Sequence, residues 1–261
     1  MKNGVNAWYG CRRDLRDARD RLMAPKLGLA LPAAVDLRLH CPPVMNQGEI
    51  GSCTAHGVTA AARFHIIKRG GPYDFEMCRL QLYYDSREME GSIASDAGAE
   101  IRDVIKTLAA RGVGHEEFWP YEPSLFAERP PQEVYDDAPQ YKALQYERVA
   151  VSAIALKQAI AAGHPVIIGI SVYESFESDA VAKNGIVPMP GPHEIMVGGH
   201  CMLAVGYAHG RFIVRNSWGE DWGDKGDCYI PENYLGSPRY GSDYWNLSLF
   251  GSDAERAANA A

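Results

Sequence analysis

The sequence predicts an α+β protein of two lobes, the first helical and the second rich in strands. Three observations carry this reading. Apolar residues recur at helical spacing through the first half of the chain. β-Branched and aromatic runs broken by turn residues fill the second half. Between them lies a proline-rich connection, "WPYEPSLFAERPPQEVYDDAPQY", at residues 119–141.

Taken in order, residues 1–30 stand apart as an N-terminal extension. Their run "CRRDLRDARDRL" alternates charge signs and has too little apolar surface to form a core. Leu15, Ala18 and Leu22 share one helical face, so a short helix laid on another surface is expected there. The prolines of "LPAAVDLRLHCPPV" then predict an extended leading segment. Residues 53–68 read as a helix, stopped by Gly70-Gly71-Pro72. A second helix is expected across "EMCRLQLYYDSREM". A third covers "GAEIRDVIKTLAARG", where Ile101, Val104, Ile105 and Leu108 fall at helical spacing and Gly112 caps the end.

Beyond the connection, the short helix "AIALKQAIAAG" leads into the strand "PVIIGISVY". Further strands follow in "CMLAVGYAHGRFIVRNSW" and "YWNLSLF", with His209-Gly210 placed as a hairpin turn. The helical lobe is expected over about residues 42–140 and the strand-rich lobe over about 141–250. Residues 251–261, "GSDAERAANAA", read as a flexible tail. No internal repeat is visible.

Composition bounds the function. A chain of 261 residues can bury a sizeable core, and a net charge of −7 argues against nucleic-acid or anionic-membrane partners. No apolar run reaches the length of a membrane span, and the first twenty residues lack the apolar stretch of a secretory signal. The six cysteines are scattered without a C-x-x-C pair, which reads as a reduced, cytoplasmic chain and not a disulfide scaffold.

Several chemistries fall away for want of their motifs. There is no G-x-S-x-G, P-loop or G-x-G-x-x-G. His115-Glu116 and His193-Glu194 each lack the second histidine of a zinc peptidase. His200-Cys201 and the distant Cys228 lack paired metal-ligand spacing, so no metal site is expected. What remains is a thiol. Cys53 directly starts a helix, where unpaired N–H groups and the helix dipole favour a thiolate. A nucleophilic thiolate needs a proton partner, and eight histidines are present. His200 follows two glycines into a strand, and Asn216 sits where a strand runs into a glycine-rich turn bearing two tryptophans. Taken singly, Cys53 is more often a buried structural cysteine and His200 an ordinary histidine.

Taken together, these segments resemble the papain-like cysteine peptidases of the prokaryotic branch. The matching runs are "LPAAVDLR", "VMNQGEIGSCTA", "SDAGAEIRDVIKTLAARGVGHEEFWPYEP", "GGHCMLAVGY" and "VRNSWGEDWGDKGDCYI", within roughly residues 31–250. The resemblance implies a helical lobe and an antiparallel β-rich lobe with an active-site cleft between them. It implies Cys53 as nucleophile, His200 as general acid and base, and Asn216 as the residue orienting the imidazole. Gln47 would donate to the oxyanion, and Trp218 would shield the His–Asn hydrogen bond. Gly98, Ala99, Gly199 and Trp218 would line the bound substrate. The implied reaction is peptide-bond hydrolysis through an acyl-enzyme, without cofactor, by a monomer acting on a peptide or protein. A thiol acyltransferase and a catalytically silent peptide-binding protein are the alternatives. The complete Cys–His–Asn–Gln set argues against the silent one.

Three departures from the family pattern stand out. Thr54 replaces an aromatic after the nucleophile, and Ile50 stands where secreted relatives carry a disulfide cysteine. Cys201 puts a second, redox-sensitive thiol beside His200. The extension is shorter than the family's folded propeptides. It is expected either to pack as a surface strap or to cross the cleft as an intramolecular cover.

Overall fold

The computed structural model describes residues 9–24, 30–70 and 75–252. Its centre is α1 (Cys53–Lys68), whose first eight residues after Ser52 include Ala55, Gly57 and Ala60. These small side chains let the helix sit deep. It is buried from Cys53 through Thr59 and again from Ala61 to His65, so it belongs inside the molecule and not on its surface. Helices α2 (Arg79–Met89), α3 (Ile101–Ala110) and the short α4 (Gln132–Asp137) complete the helical lobe. Ile101, Val104, Ile105 and Leu108 of α3 all turn into the core shared with α1 and α2, as their spacing predicts.

Nine strands occur among the described residues. They are β1 (Cys11–Arg12), β2 (Val35–Asp36), β3 (Ala99–Glu100), β4 (Lys142–Val149), β5 (Val166–Tyr173), β6 (Met196–Ala208), β7 (Arg211–Arg215), β8 (Asp227–Pro231) and β9 (Gly241–Gly251). Six of them form an antiparallel sheet in the order β4-β9-β5-β6-β7-β8, and β2 adds to it alongside β6. The hairpin between β6 and β7 turns at His209 and Gly210, both in the left-handed region with φ of 51° and 74°.

Both faces of the central strands β5 and β6 are buried, which explains their unbroken apolar runs. Ile167 of β5 and Cys201, Leu203 and Val205 of β6 point to the core around α1. The alternate residues Val166, Ile168, Ile170, Met202 and Ala204 point to a second core. Leu156, Ala159 and Ile160 of α5 (Ala153–Ala161) close that second core, near α7 (Glu232–Leu235), while Val181 of α6 (Asp179–Asn184) joins it from the loop side. Ser152 caps α5 through its hydroxyl, which accepts from the Ala155 N–H.

The extension corrects one expectation. Residues 9–24 are not helical, and Leu15 and Leu22 are each 71 % exposed. The chain runs extended, with the short β1 parallel to β3. Asp14 and Asp20 face arginines of the body and not solvent, and this outweighs the weak helical periodicity. At the other end β9 continues to Gly251, into the segment expected to be a tail; residues 253–261 lie outside the described residues.

Candidate active site

Cys53 begins α1 and is fully buried. Ser52, at the N-cap, makes no side-chain cap to the helix. Its hydroxyl is engaged by the Tyr121 hydroxyl at 2.7 Å, and the Thr54 N–H in the first helical turn faces the sulfur. The Cys53 sulfur faces the backbone N–H groups of Cys201, Gly10 and Thr54. Burial nevertheless dominates and, with the Cys11 thiol nearby, pushes the Cys53 thiol up to about 12.

Across from it, His200 lies on β6, opposite Ile170 of β5. Its Nε2 is 2.7 Å from Asn216 Oδ1. The same oxygen accepts the Ser217 N–H at 2.8 Å, which settles the orientation of the Asn216 amide. An acceptor at Nε2 requires that nitrogen to carry the hydrogen, so the neutral ring presents Nδ1 as a lone-pair base. Nδ1 is buried and has no hydrogen-bond partner among the described residues. Burial holds this imidazole down at about 4, against the opposing effect of the Asn216 hydrogen bond. Trp218 stacks on the imidazole with ring centroids 4.8 Å apart.

Gln47 is fully buried beside Ser217, and its neighbour Asn46 bridges to Trp218. The Ser217 hydroxyl donates to its Oε1 at 2.7 Å, and its Nε2 donates to the Ile50 carbonyl at 2.9 Å. The Tyr121 hydroxyl donates to the Gln47 carbonyl at 2.8 Å. Ser217 and the Ile50 carbonyl therefore hold the side-chain amide in one orientation while Tyr121 pins the Gln47 backbone, roles that sequence reasoning did not assign them.

The extension passes between these groups. Gly10 accepts the Ala99 N–H at 2.8 Å, and Cys11 pairs with Ala99 in register. A Cβ on Gly98, itself at φ +71°, would stand 2.1 Å from the Gly10 carbonyl oxygen. On the other wall a Cβ on Gly199 would stand 2.2 Å from the Cys11 carbonyl oxygen. Gly198 meets the Tyr9 side chain in the same way. Tyr9 points its ring at His200, 6.0 Å between centroids and nearly perpendicular. Gly98, Ala99, Gly199 and Trp218, the residues expected to line substrate, thus all stand at the strap formed by residues 9–12.

Charge anchors the strap further on. Asp14 accepts from the Arg102 N–H at 3.1 Å, from Arg148 Nη2 at 2.8 Å and from Trp245 Nε1 at 2.8 Å. Arg148 also binds Asp20 and Asp243, both at 3.0 Å. Burial and the Asp243 carboxylate raise Asp14 to about 6, opposed by these donors. Arg12 pairs with Glu90, and Arg102 donates to the Leu15 carbonyl.

Cys53, His200, Asn216, Gln47, Gly98, Ala99, Gly199 and Trp218 are therefore neighbours in space. His193 lies on the loop before β6, whereas His56 is buried. Its ring nitrogens face the Ser52 carbonyl and Arg79, and burial and that guanidinium hold it well below the usual histidine range. His56 is a structural residue. The strap residues Tyr9, Gly10 and Cys11 were not singled out from sequence. The one available signal was a glycine between an aromatic and a thiol, matched by glycines at 98, 198 and 199.

Residues 31–236 match the model of the papain family cysteine proteases. The chain belongs to the papain family. An uncharacterized peptidase C1-like protein of Acanthamoeba polyphaga mimivirus is 39% identical to this papain-family peptidase over 211 residues, covering 77% of this chain and 68% of the relative. Human cathepsin L2 is 28% identical over 239 residues, covering 86% of this chain and 68% of the relative. The crystal structure of xylellain, a cysteine protease from Xylella fastidiosa, superimposes with a TM-score of 0.86 at 35% identity, covering 97% of this chain and 98% of that one. This papain-family chain is a cysteine peptidase, with the two-lobed α+β fold that its sequence pattern predicts.

Proposed function

We propose that this peptidase cleaves peptide bonds through an acyl-enzyme on Cys53 and that its own residues 9–24 hold it latent. One observation carries the reading. His200 is fixed through Nε2 to Asn216 with Nδ1 unpartnered, one residue before the N–H that faces the Cys53 sulfur. A base presented in that tautomer can take the thiol proton and return it to a leaving amine.

With the strap seated, both groups are neutral, because burial opposes charge on each. When the strap leaves, water reaches the site and the thiolate–imidazolium pair becomes the favoured form. The thiolate attacks the scissile carbonyl, and the developing oxyanion is met by the Cys53 N–H and the Gln47 amide. His200 protonates the departing amine, then activates the water that hydrolyses the thioester. Trp218, stacked on the ring, keeps bulk water from the His200–Asn216 hydrogen bond.

The same contacts support the latency. Substrate backbone and strap backbone need the same glycine-lined walls at 98–99 and 198–199. Acid quenching during turnover of a slow ester substrate, followed by peptide mass mapping, tests the chemistry. The expected result is the acyl group on Cys53 and on no other cysteine. Hydrolysis without any acylated Cys53, or acylation elsewhere, would contradict it.

A further inference from the structure

Cys11 of the strap, Cys53 and Cys201 are free thiols gathered where the strap crosses the cleft. Cys201 stands opposite Gly169 in the β5–β6 register, and that glycine has no side chain to fill the space beside it. The Cys11 thiol shares this space with Ser242, since a Cβ on Gly169 would stand 2.9 Å from the Ser242 carbonyl oxygen and 3.5 Å from Cys11 Sγ. On its other side Cys201 Sγ packs against α1, where a Cβ on Gly57 would stand only 2.8 Å away. Two glycines thus make room for two sulfurs. The thiols of Cys11 and Cys201 interact with each other beside Gly169, and Cys11 Sγ also reaches the Arg12 carbonyl oxygen at 3.8 Å. Cys53 is engaged differently, by backbone N–H groups. The Cys11 carbonyl against Gly199 and the pairing of Cys11 with Ala99 hold the strap in this register.

We propose that Cys11 and Cys201 are an oxidisable pair whose disulfide locks the strap across the cleft, making latency redox-dependent. This inference rests on the reading of residues 9–24 as a cover. Cys201 opposite Gly169 and Cys11 against that same glycine are placed for side-chain rotation to bring the sulfurs to the roughly 2 Å bond.

The oxidant is hydrogen peroxide. While docked, Cys11 is kept protonated by its interaction with Cys201 and by burial, so the reaction begins when the strap lifts. The Cys11 thiolate attacks one peroxide oxygen, the O–O bond breaks, and hydroxide leaves and takes up a proton as water. Cys11 is now a sulfenic acid, small enough to re-enter the space beside Gly169. The Cys201 sulfur attacks the sulfenic sulfur, the S–O bond breaks, and the oxygen departs as water with the Cys201 proton. In total two thiols lose two electrons, and one peroxide becomes two waters. A dithiol reductant reverses the link by exchange.

The test uses the full chain carrying Cys53→Ala, which removes competing oxidation of the nucleophile. It is treated with hydrogen peroxide, alkylated under denaturing conditions and mapped by mass spectrometry without reduction. The expected product links the Cys11 peptide to the Cys201 peptide, disappears with dithiothreitol and is absent from the Cys11→Ser chain. Hydrogen exchange at the Ala99 amide, which donates to Gly10, should slow about tenfold or more in the oxidised chain. Cys11 and Cys201 recovered separately, Cys11 linked to another cysteine, or unchanged exchange at Ala99 would overturn the proposal. Cover failure shows elsewhere: a chain lacking residues 1–30 would then hydrolyse peptides no faster in reducing buffer, whatever the mapped link.

Discussion

Removing residues 1–30 should raise kcat/KM for a short peptide substrate by about 100-fold in reducing buffer, as expected when only a small fraction of the full chain is open. Each tenfold in that ratio corresponds to about 1.4 kcal/mol of strap docking. The anchors supply this scale. Asp14 alone accepts three hydrogen bonds, two from side chains and one from backbone, and bonds to a charged group contribute about 1.5–3 kcal/mol each before desolvation is counted. Desolvation of Asp14 beside Asp243 takes back part of that, so the net effect is modest and the strap can open. Gly10→Val gives the same release with the chain entire. A Cβ at residue 10 would stand 1.8 Å from the Gly51 carbonyl oxygen, so any side chain there prevents seating. Unchanged kinetics in both variants, with melting curves showing folded protein, would remove the cover from the account.

The second large effect concerns the nucleophile. In the strap-deleted chain, Cys53→Ala should lower kcat by about 10⁵-fold or more with little change in KM. His200→Ala should cost a similar factor, and the double variant should be no worse than either single one. Groups that act as one unit are strongly non-additive, because a thiol without its base and a base without its thiol are equally idle. Gln47→Ala should be milder, about 10²–10³-fold, the usual cost of one oxyanion donor. Additive losses from Cys53 and His200 would mean that they do not act on the same bond.

How much of this was legible depends on how local each signal was. The glycine-flanked Cys53, the strand carrying His200 and the turn carrying Asn216 each show in a few neighbouring residues. Helix α3 showed because Ile101, Val104, Ile105 and Leu108 repeat at one spacing on one face. Strand β4 did not, since "KALQYERV" has only Ala143 and Val149 buried and so lacks a clean alternation. The strap was misread for a different reason. Its apolar Leu15, Ala18 and Leu22 suggested a helix, whereas its position is decided by Asp14 and Asp20 meeting Arg102 and Arg148. Pairings separated by more than eighty residues leave no trace in a local pattern. Cys201 showed as a redox-sensitive thiol beside His200, but its pairing with Cys11 is hidden likewise, being made only by the strap crossing the cleft.

The most direct measurement is the pH dependence of Cys53 alkylation by iodoacetamide, followed by peptide mapping in the full and strap-deleted chains. With the strap seated, the Cys53 thiol stands at about 12 and His200 at about 4, so neither carries charge at neutral pH. A raised thiol has almost no thiolate at pH 6, and alkylation there should be about 100-fold slower in the full chain than in the deleted one. In the deleted chain the ion pair should bring the onset of reaction down to about pH 4–5, far below the ordinary cysteine value of about 8.5. Equal rates at pH 6 in the two chains, or an onset near 8.5 after deletion, would contradict the account.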